Sequence, residues 1–127
     1  TDFELQEILS LKISTKISQS ELKKSEGQRV MKYLNSSDYV VLLDENGKSY
    51  SSIDFSTKIE KFMLNSFKRV VFIIGGAFGF SDELYSCCNE KLSLSNMTFS
   101  HQMVRLFFVE QLYRAFTIIN NEKYHHQ

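Results

Sequence analysis

The stretch Val70-Val-Phe-Ile-Ile-Gly-Gly-Ala-Phe-Gly79 predicts a buried strand that runs directly into a glycine-rich loop. Its first five residues are all apolar and either β-branched or aromatic, which is typical of a strand covered on both faces. Glycine tolerates φ > 0 and lets a backbone approach a ligand closely. The loop therefore either cradles a cofactor or forms a tight turn between a strand and a helix. It contains no lysine, so it is not a P-loop.

Two other short apolar runs predict strands, at Tyr39–Leu43 before this stretch and at Leu92–Ser95 after it. Alternation of apolar and polar residues predicts a further strand over Phe3–Leu11. The predicted helices span residues 21–35, 51 to about 67, 81 to about 89, and 101 to 119. Strands that alternate with helices predict a single α/β domain over residues 1–127, built on a mostly parallel sheet.

Three loops follow the predicted parallel strands, at Asp44–Gly47, Gly75–Phe80 and Asn96–Ser100. Ligands of open α/β sheets bind outside the carboxyl ends of the strands. We therefore expect these three loops to converge on one ligand site.

The last predicted helix, His101–Ile119, is apolar around nearly its whole circumference. A helix of this kind is usually buried on all sides. One face is expected to pack on the sheet. The other faces either form a dimer interface, which we favour in so short a chain, or lie in the core of a monomer. Arg105 and Arg114 interrupt the apolar surface, and each is either neutralised by an acid such as Glu110 or faces a phosphate or a base.

The charge balance excludes a protein drawn to nucleic acid by its overall field, because fifteen basic residues offset fifteen acidic ones. Affinity for RNA would have to come from a local patch. No apolar run approaches the roughly 20 residues of a membrane span. The adjacent Cys87 and Cys88 predict reduced thiols in a cytoplasmic protein. The histidines match no familiar metal-ligand spacing, so no metal site is predicted, and His101 and His125 are candidate proton acceptors.

Three motifs lie in the last third of the chain: LSLSNMTFSHQMVR at 92–105, EQLYRAF at 110–116 and YHH at 124–126. The upstream motifs are KSEGQR at 24–29, LDENGK at 43–48 and IIGGAFG at 73–79. In this order they closely resemble the signature of the RlmH (YbeA-type) family of SPOUT, or α/β-knot, RNA methyltransferases. The resemblance spans about residues 21–126.

The resemblance implies an α/β-knot fold with a C-terminal trefoil knot within about residues 70–120, and a homodimer. It implies methylation of N3 of a pseudouridine in the large-subunit ribosomal RNA of the assembled ribosome, with S-adenosyl-L-methionine as cofactor. The residues implied to bind this cofactor are Leu43, Gly76, Gly79, Leu94, Ser95, Asn96, Met97, Thr98 and Phe99.

The residues that the resemblance implies in catalysis are His101, Arg105, Arg114, Tyr124 and His125. His125 or His101 would accept the N3 proton, Arg114 would stabilise developing negative charge, and Tyr124 would position the base. The sequence departs from the family at its start, where the family has a further strand and helix. Two other functions stay open: a SPOUT methyltransferase that acts on another RNA such as tRNA, and a non-catalytic ligand-binding α/β module.

Overall fold

Three parallel strands form the centre of the fold in a computed structural model that describes residues 18–65, 69–75 and 79–121. They are β1 (Tyr39–Ser49), β2 (Val70–Ile74) and β3 (Glu90–Ser93), arranged in the order β2-β1-β3. Leu43 of β1 lies opposite both Ile74 and Leu92, so the carboxyl ends of the three strands meet at one edge. This confirms the predicted α/β class with a parallel sheet. The predicted strand Phe3–Leu11 lies outside the described residues.

Four helices cover the sheet: α1 (Gln19–Met31), α2 (Ser52–Leu64), α3 (Asp82–Cys87) and α4 (His101–Ile119). Each begins after a serine whose side chain accepts a hydrogen bond from a backbone N–H in the first turn, which satisfies one of the unpaired donors there. These serines are Ser18, Ser51, Ser81 and Ser100. The local sequence therefore fixes where each helix starts.

Three helices end earlier than predicted. Helix α1 spans Gln19–Met31, so it starts two residues before the predicted residue 21 and ends four residues before the predicted residue 35. Helix α2 ends at Leu64, and not near residue 67, because Asn65 has extended backbone dihedrals. Helix α3 ends at Cys87, and not near residue 89, because Cys88 is extended as well. The early end of α3 lets β3 begin at Glu90, two residues before the predicted start at Leu92.

The predicted turn at residues 44–47 is instead a bulge within β1, which continues to Ser49. Leu43 and Lys48 both lie opposite Leu92, so the residues between them project out of the ladder. A Cβ at Gly47 would lie 2.6 Å from the backbone N of Leu92. Glycine is therefore required for the bulge to close onto β3.

The two faces of the sheet carry separate apolar clusters, because side chains alternate along β1. Val41 and Leu43 face α2 and α4, whereas Val40 and Leu42 face α1 and α3. The first cluster also contains Phe55, Ile59, Leu92, Phe108, Leu112 and Ala115. The carboxyl ends of the strands therefore lie between two layers of helices, α2 and α4 on one face and α1 and α3 on the other.

Helix α4 packs on the sheet side through Phe108, Leu112 and Ala115. Its outer stripe consists of Met103, Leu106, Val109 and Tyr113, whose exposed fractions run from 36% to 61%. The described residues of one chain therefore leave this stripe exposed. No helix in the described part of the chain is long and apolar enough to cross a membrane.

Gly27 marks the closest approach of α1 to the start of α3. A Cβ there would lie 2.2 Å from Oγ and 2.9 Å from Cβ of Ser81. Alanine has the higher helix propensity, by about 1 kcal/mol. We nevertheless expect Gly27→Ala to lower the free energy of unfolding by about 2 kcal/mol, because overpacking a tight contact outweighs that gain. Urea unfolding measures the change, with the exposed Gln28→Ala as control.

A compensating change sharpens this test. Ser81→Gly removes both atoms that the new methyl group would meet, and replacing an N-cap serine with glycine costs only a few tenths of a kcal/mol. The double variant Gly27→Ala, Ser81→Gly should therefore recover most of the lost stability. A double variant no more stable than Gly27→Ala alone would show that the contact with Ser81 is not the cause.

Candidate functional site

A cavity of about 310 Å³ opens on the α2/α4 side of the sheet, where β3 ends and the chain enters α2. The segment between β1 and α2 lines it with Tyr50, Ser51 and Ser52. The end of β3 and the loop after it contribute residues 92–95 and Phe99. The cavity volume lies at the lower end of the range of small-molecule sites, which is about 300–1,000 Å³.

The lining combines aromatic surface with a few polar groups. The rings of Phe99 and Phe107 meet edge to face, with centroids 5.1 Å apart. Ser52 Oγ donates a hydrogen bond to Gln111 Oε1 over 2.8 Å, and the carboxylate of Glu110 lies beside this pair on α4. Such a lining suits a ligand that carries a flat apolar ring, hydroxyl groups and a positive charge.

Three of the predicted cofactor residues, Leu94, Ser95 and Phe99, line this cavity. Hydrogen bonds within the loop order its first half. Ser93 Oγ donates to the carbonyl of Ser95 over 2.8 Å, and Ser95 Oγ accepts from the N–H of Met97 over 3.0 Å. The predicted loop therefore has a defined shape next to the cavity.

The other predicted cofactor residues lie around the cavity or outside the described chain. Leu43 is buried in the α2/α4 cluster behind it. Asn96, Met97 and Thr98 are exposed on the outer side of the loop. Gly79 lies on the other side of the sheet near Tyr85, with φ at +85°. Gly76 lies outside the described residues.

Arg114, a predicted catalytic residue, pairs with a residue that lines the cavity. Its Nε lies 3.1 Å from Glu110 Oε1, and a second guanidinium nitrogen binds the same oxygen. Glu110 itself lines the cavity, so the ion pair places the guanidinium at its margin. The ion pair therefore holds the charged guanidinium in a fixed direction.

His101 and Arg105 lie on the exposed first turns of α4, far from Arg114. A helix rises about 1.5 Å per residue and turns once in about 3.6 residues, which puts His101 roughly 20 Å from Arg114 and on the opposite side. Burial raises the pKa of the Glu26 carboxyl on α1, and nearby His101 partly offsets this increase. One chain therefore does not bring these predicted catalytic residues together. Tyr124 and His125 lie outside the described residues.

The family described as predicted SPOUT methyltransferase matches residues 1–125 of the chain. The chain belongs to the SPOUT methyltransferase family. It is therefore a methyltransferase, and its parallel sheet with flanking helices agrees with the α/β part of the fold expected from the sequence motifs.

Named relatives of this SPOUT methyltransferase agree with the resemblance to the RlmH type. A protein of Christiangramia forsetii named Ribosomal RNA large subunit methyltransferase H is 54% identical over 125 residues, covering 98% of this chain and 80% of that protein. Proteins of the same name from Parabacteroides distasonis and Bacteroides fragilis are 51% and 49% identical, with the same coverage.

Sequence reasoning missed several residues that line the cavity of this methyltransferase, among them Ser52, Phe107 and Gln111. Ser52 and Gln111 are 59 positions apart, so no local pattern joins them. A partial signal existed on α4, where residues 107, 110 and 111 share one side at helical spacing. From the sequence alone, Phe107 is only one of the many apolar residues of this helix.

Proposed function

We propose that the chain transfers a methyl group from S-adenosyl-L-methionine to N3 of a pseudouridine in large-subunit ribosomal RNA of the assembled ribosome, in the cytoplasm. The single observation that carries the cofactor proposal is the cavity lined by Leu94, Ser95 and Phe99, which the family resemblance assigns to cofactor binding. The names of the relatives support the ribosomal substrate.

The cavity suits this cofactor chemically. S-adenosyl-L-methionine would supply an electrophilic methyl group attached to a positively charged sulfur. Aromatic rings and a carboxylate both favour such a cation, and Phe99, Phe107 and Glu110 present these groups. The serine hydroxyls and the Gln111 amide offer hydrogen bonds to ribose and amino-acid groups. The protein's contribution is to orient the donor and exclude water.

Arg114 serves the RNA side of the reaction. When N3 of a pseudouridine loses its proton, negative charge spreads to the flanking carbonyl oxygens. A guanidinium held in a fixed direction by Glu110 stabilises that charge without having to reorganise. His125 or His101 accepts the proton, and Tyr124 positions the base.

A second copy of the chain completes this site. Leu106 and Tyr113 on the outer stripe of α4 are 61% and 55% exposed, which is unusual for large apolar side chains that share one face of a helix. His101 and Arg114 also lie on opposite sides of α4, so one chain cannot direct both at the same base. A homodimer that packs through α4 covers the stripe and lets residues of two chains meet.

Transfer of radiolabelled methyl groups to isolated ribosomes tests the proposal. Ribosomes that lack the modification should become labelled, and purified tRNA should not. Labelling of tRNA alone would favour a SPOUT methyltransferase with another substrate.

A further inference from the structure

The bulge of β1 contains two neighbouring acids, of which Asp44 binds helix α3 and Glu45 binds the loop after β3. Asp44 and Glu45 directly follow Leu43, where the regular pairing of β1 with β3 is interrupted. Because residues 44–47 project out of the ladder, the side chain of Asp44 reaches α3 and that of Glu45 reaches the loop after β3. Both acids make long-range hydrogen bonds there.

Glu45 fixes the second half of the loop after β3. Thr98 Oγ1 donates to Glu45 Oε2 over 2.6 Å, across 53 positions of sequence. Thr98 directly precedes Phe99, whose ring packs on Phe107 and lines the cavity. The serine hydrogen bonds order only the first half of this loop, up to Met97. The contact with Glu45 therefore sets where Phe99 lies.

Asp44 binds helix α3. The hydroxyl of Tyr85 on α3 donates to Asp44 Oδ2 over 2.5 Å. Burial and this hydrogen bond raise the pKa of Tyr85 to about 12, so its hydroxyl keeps its proton at neutral pH. Asp44 thus ties the start of the bulge, directly before Glu45, to α3.

We propose that Glu45 is a positioning residue that holds the loop after β3 in the arrangement that binds the methyl donor. It acts through Thr98. This inference rests on the proposed function, because the ligand is the one proposed there. Its physical basis is preorganisation: a loop ordered before binding loses less conformational freedom when the ligand arrives.

The Glu45–Thr98 pair gives the sharper test, because both residues are exposed and neither belongs to the core. Glu45→Ala and Thr98→Val should each raise the Kd of S-adenosyl-L-methionine about five- to tenfold, the effect of losing one hydrogen bond. In Glu45→Ala the KM of this donor should rise in parallel, and kcat at saturation should stay unchanged. Glu45→Gln keeps an acceptor oxygen for Thr98, so it should bind normally.

Calorimetric titration of the full chain measures these affinities, with the exposed Glu60→Ala as control. The double variant Glu45→Ala, Thr98→Val should bind no more weakly than either single variant, because both remove the same interaction. Normal affinity in Glu45→Ala, or additive losses in the double variant, would overturn the proposal.

Hydrogen exchange of the ligand-free protein separates this inference from the proposed function. Backbone amides of residues 97–99 should exchange faster in Glu45→Ala than in the unaltered chain, while those of α2 should not change. If the unaltered chain fails to bind the donor, the proposed function fails and exchange alone decides the positioning role. Unchanged exchange at residues 97–99 would then refute it.

Discussion

Replacing Ser95 with tryptophan should lower the affinity for S-adenosyl-L-methionine by roughly 100-fold or more, which corresponds to about 2.7 kcal/mol. Ser95 lines a cavity of only about 310 Å³, so an indole ring would fill much of the space that the ligand needs. Calorimetric titration measures the loss. The effect should be this large because the substitution excludes the ligand and does not merely remove one contact.

Two control variants make the result specific. Ser95→Ala leaves the cavity open and removes only the hydrogen bond from the N–H of Met97, so its affinity should stay within about tenfold of the original. Ser86→Trp adds the same ring on the exposed side of α3 and should bind normally. Normal binding by Ser95→Trp would mean that the ligand occupies another part of the molecule.

Arg114→Ala should reduce kcat by about 100- to 1,000-fold while the KM for the methyl donor changes little. The guanidinium is proposed to act on charge that develops only during transfer, so its loss affects the transition state more than the bound ground state. Steady-state methylation of ribosomes measures kcat and KM, and single-turnover reactions measure the rate of the transfer step itself.

Arg114→Lys is the matched variant, because it keeps the positive charge. Lysine lacks the planar group through which two nitrogens bind Glu110, so the charge loses its fixed direction. It should recover only a small part of the activity. Full activity in Arg114→Lys would assign the residue a general electrostatic role, and full activity in Arg114→Ala would remove it from the reaction.

The strands, the helix starts and α4 could be predicted because each depends on neighbours in sequence. Every residue from Val70 to Ile74 is apolar, so this strand can be predicted without knowing which of its faces is buried. Helix α4 spans His101–Ile119, which matches the predicted bounds. The side chains of Ser51 and Ser81 accept hydrogen bonds from backbone N–H groups only three residues ahead, so the local sequence indicates where these helices start. Such patterns need no knowledge of the tertiary fold.

The bulge and the full cavity could not be predicted because they depend on contacts between distant residues. The bulge at residues 44–47 arises where two positions of β1 share one partner, Leu92. Glu45 meets Thr98, and Ser52 meets Gln111, only after the sheet and α4 have assembled. The sequence resemblance pointed to Leu94, Ser95 and Phe99, which line the cavity, but it did not identify the α2 and α4 side chains that form another wall.

Leu43 shows how a predicted binding residue can also be a core residue. It is 8% exposed and packs in the α2/α4 cluster, beside residues that line the cavity. Because its side chain belongs to the core, any contact with a ligand would have to come from its backbone. A motif compared by residue type alone does not distinguish a side-chain role from a backbone role.

The most direct test of the central claim is mass spectrometry of ribosomal RNA after reaction. Ribosomes that lack the modification are incubated with the protein and S-adenosyl-L-methionine, and the digested RNA is searched for methylated pseudouridine. We expect one pseudouridine of the large-subunit RNA to gain a single methyl group at N3, with none gained when Ser95→Trp replaces the unaltered protein. Unmodified ribosomal RNA after incubation with protein that binds the methyl donor would contradict the account.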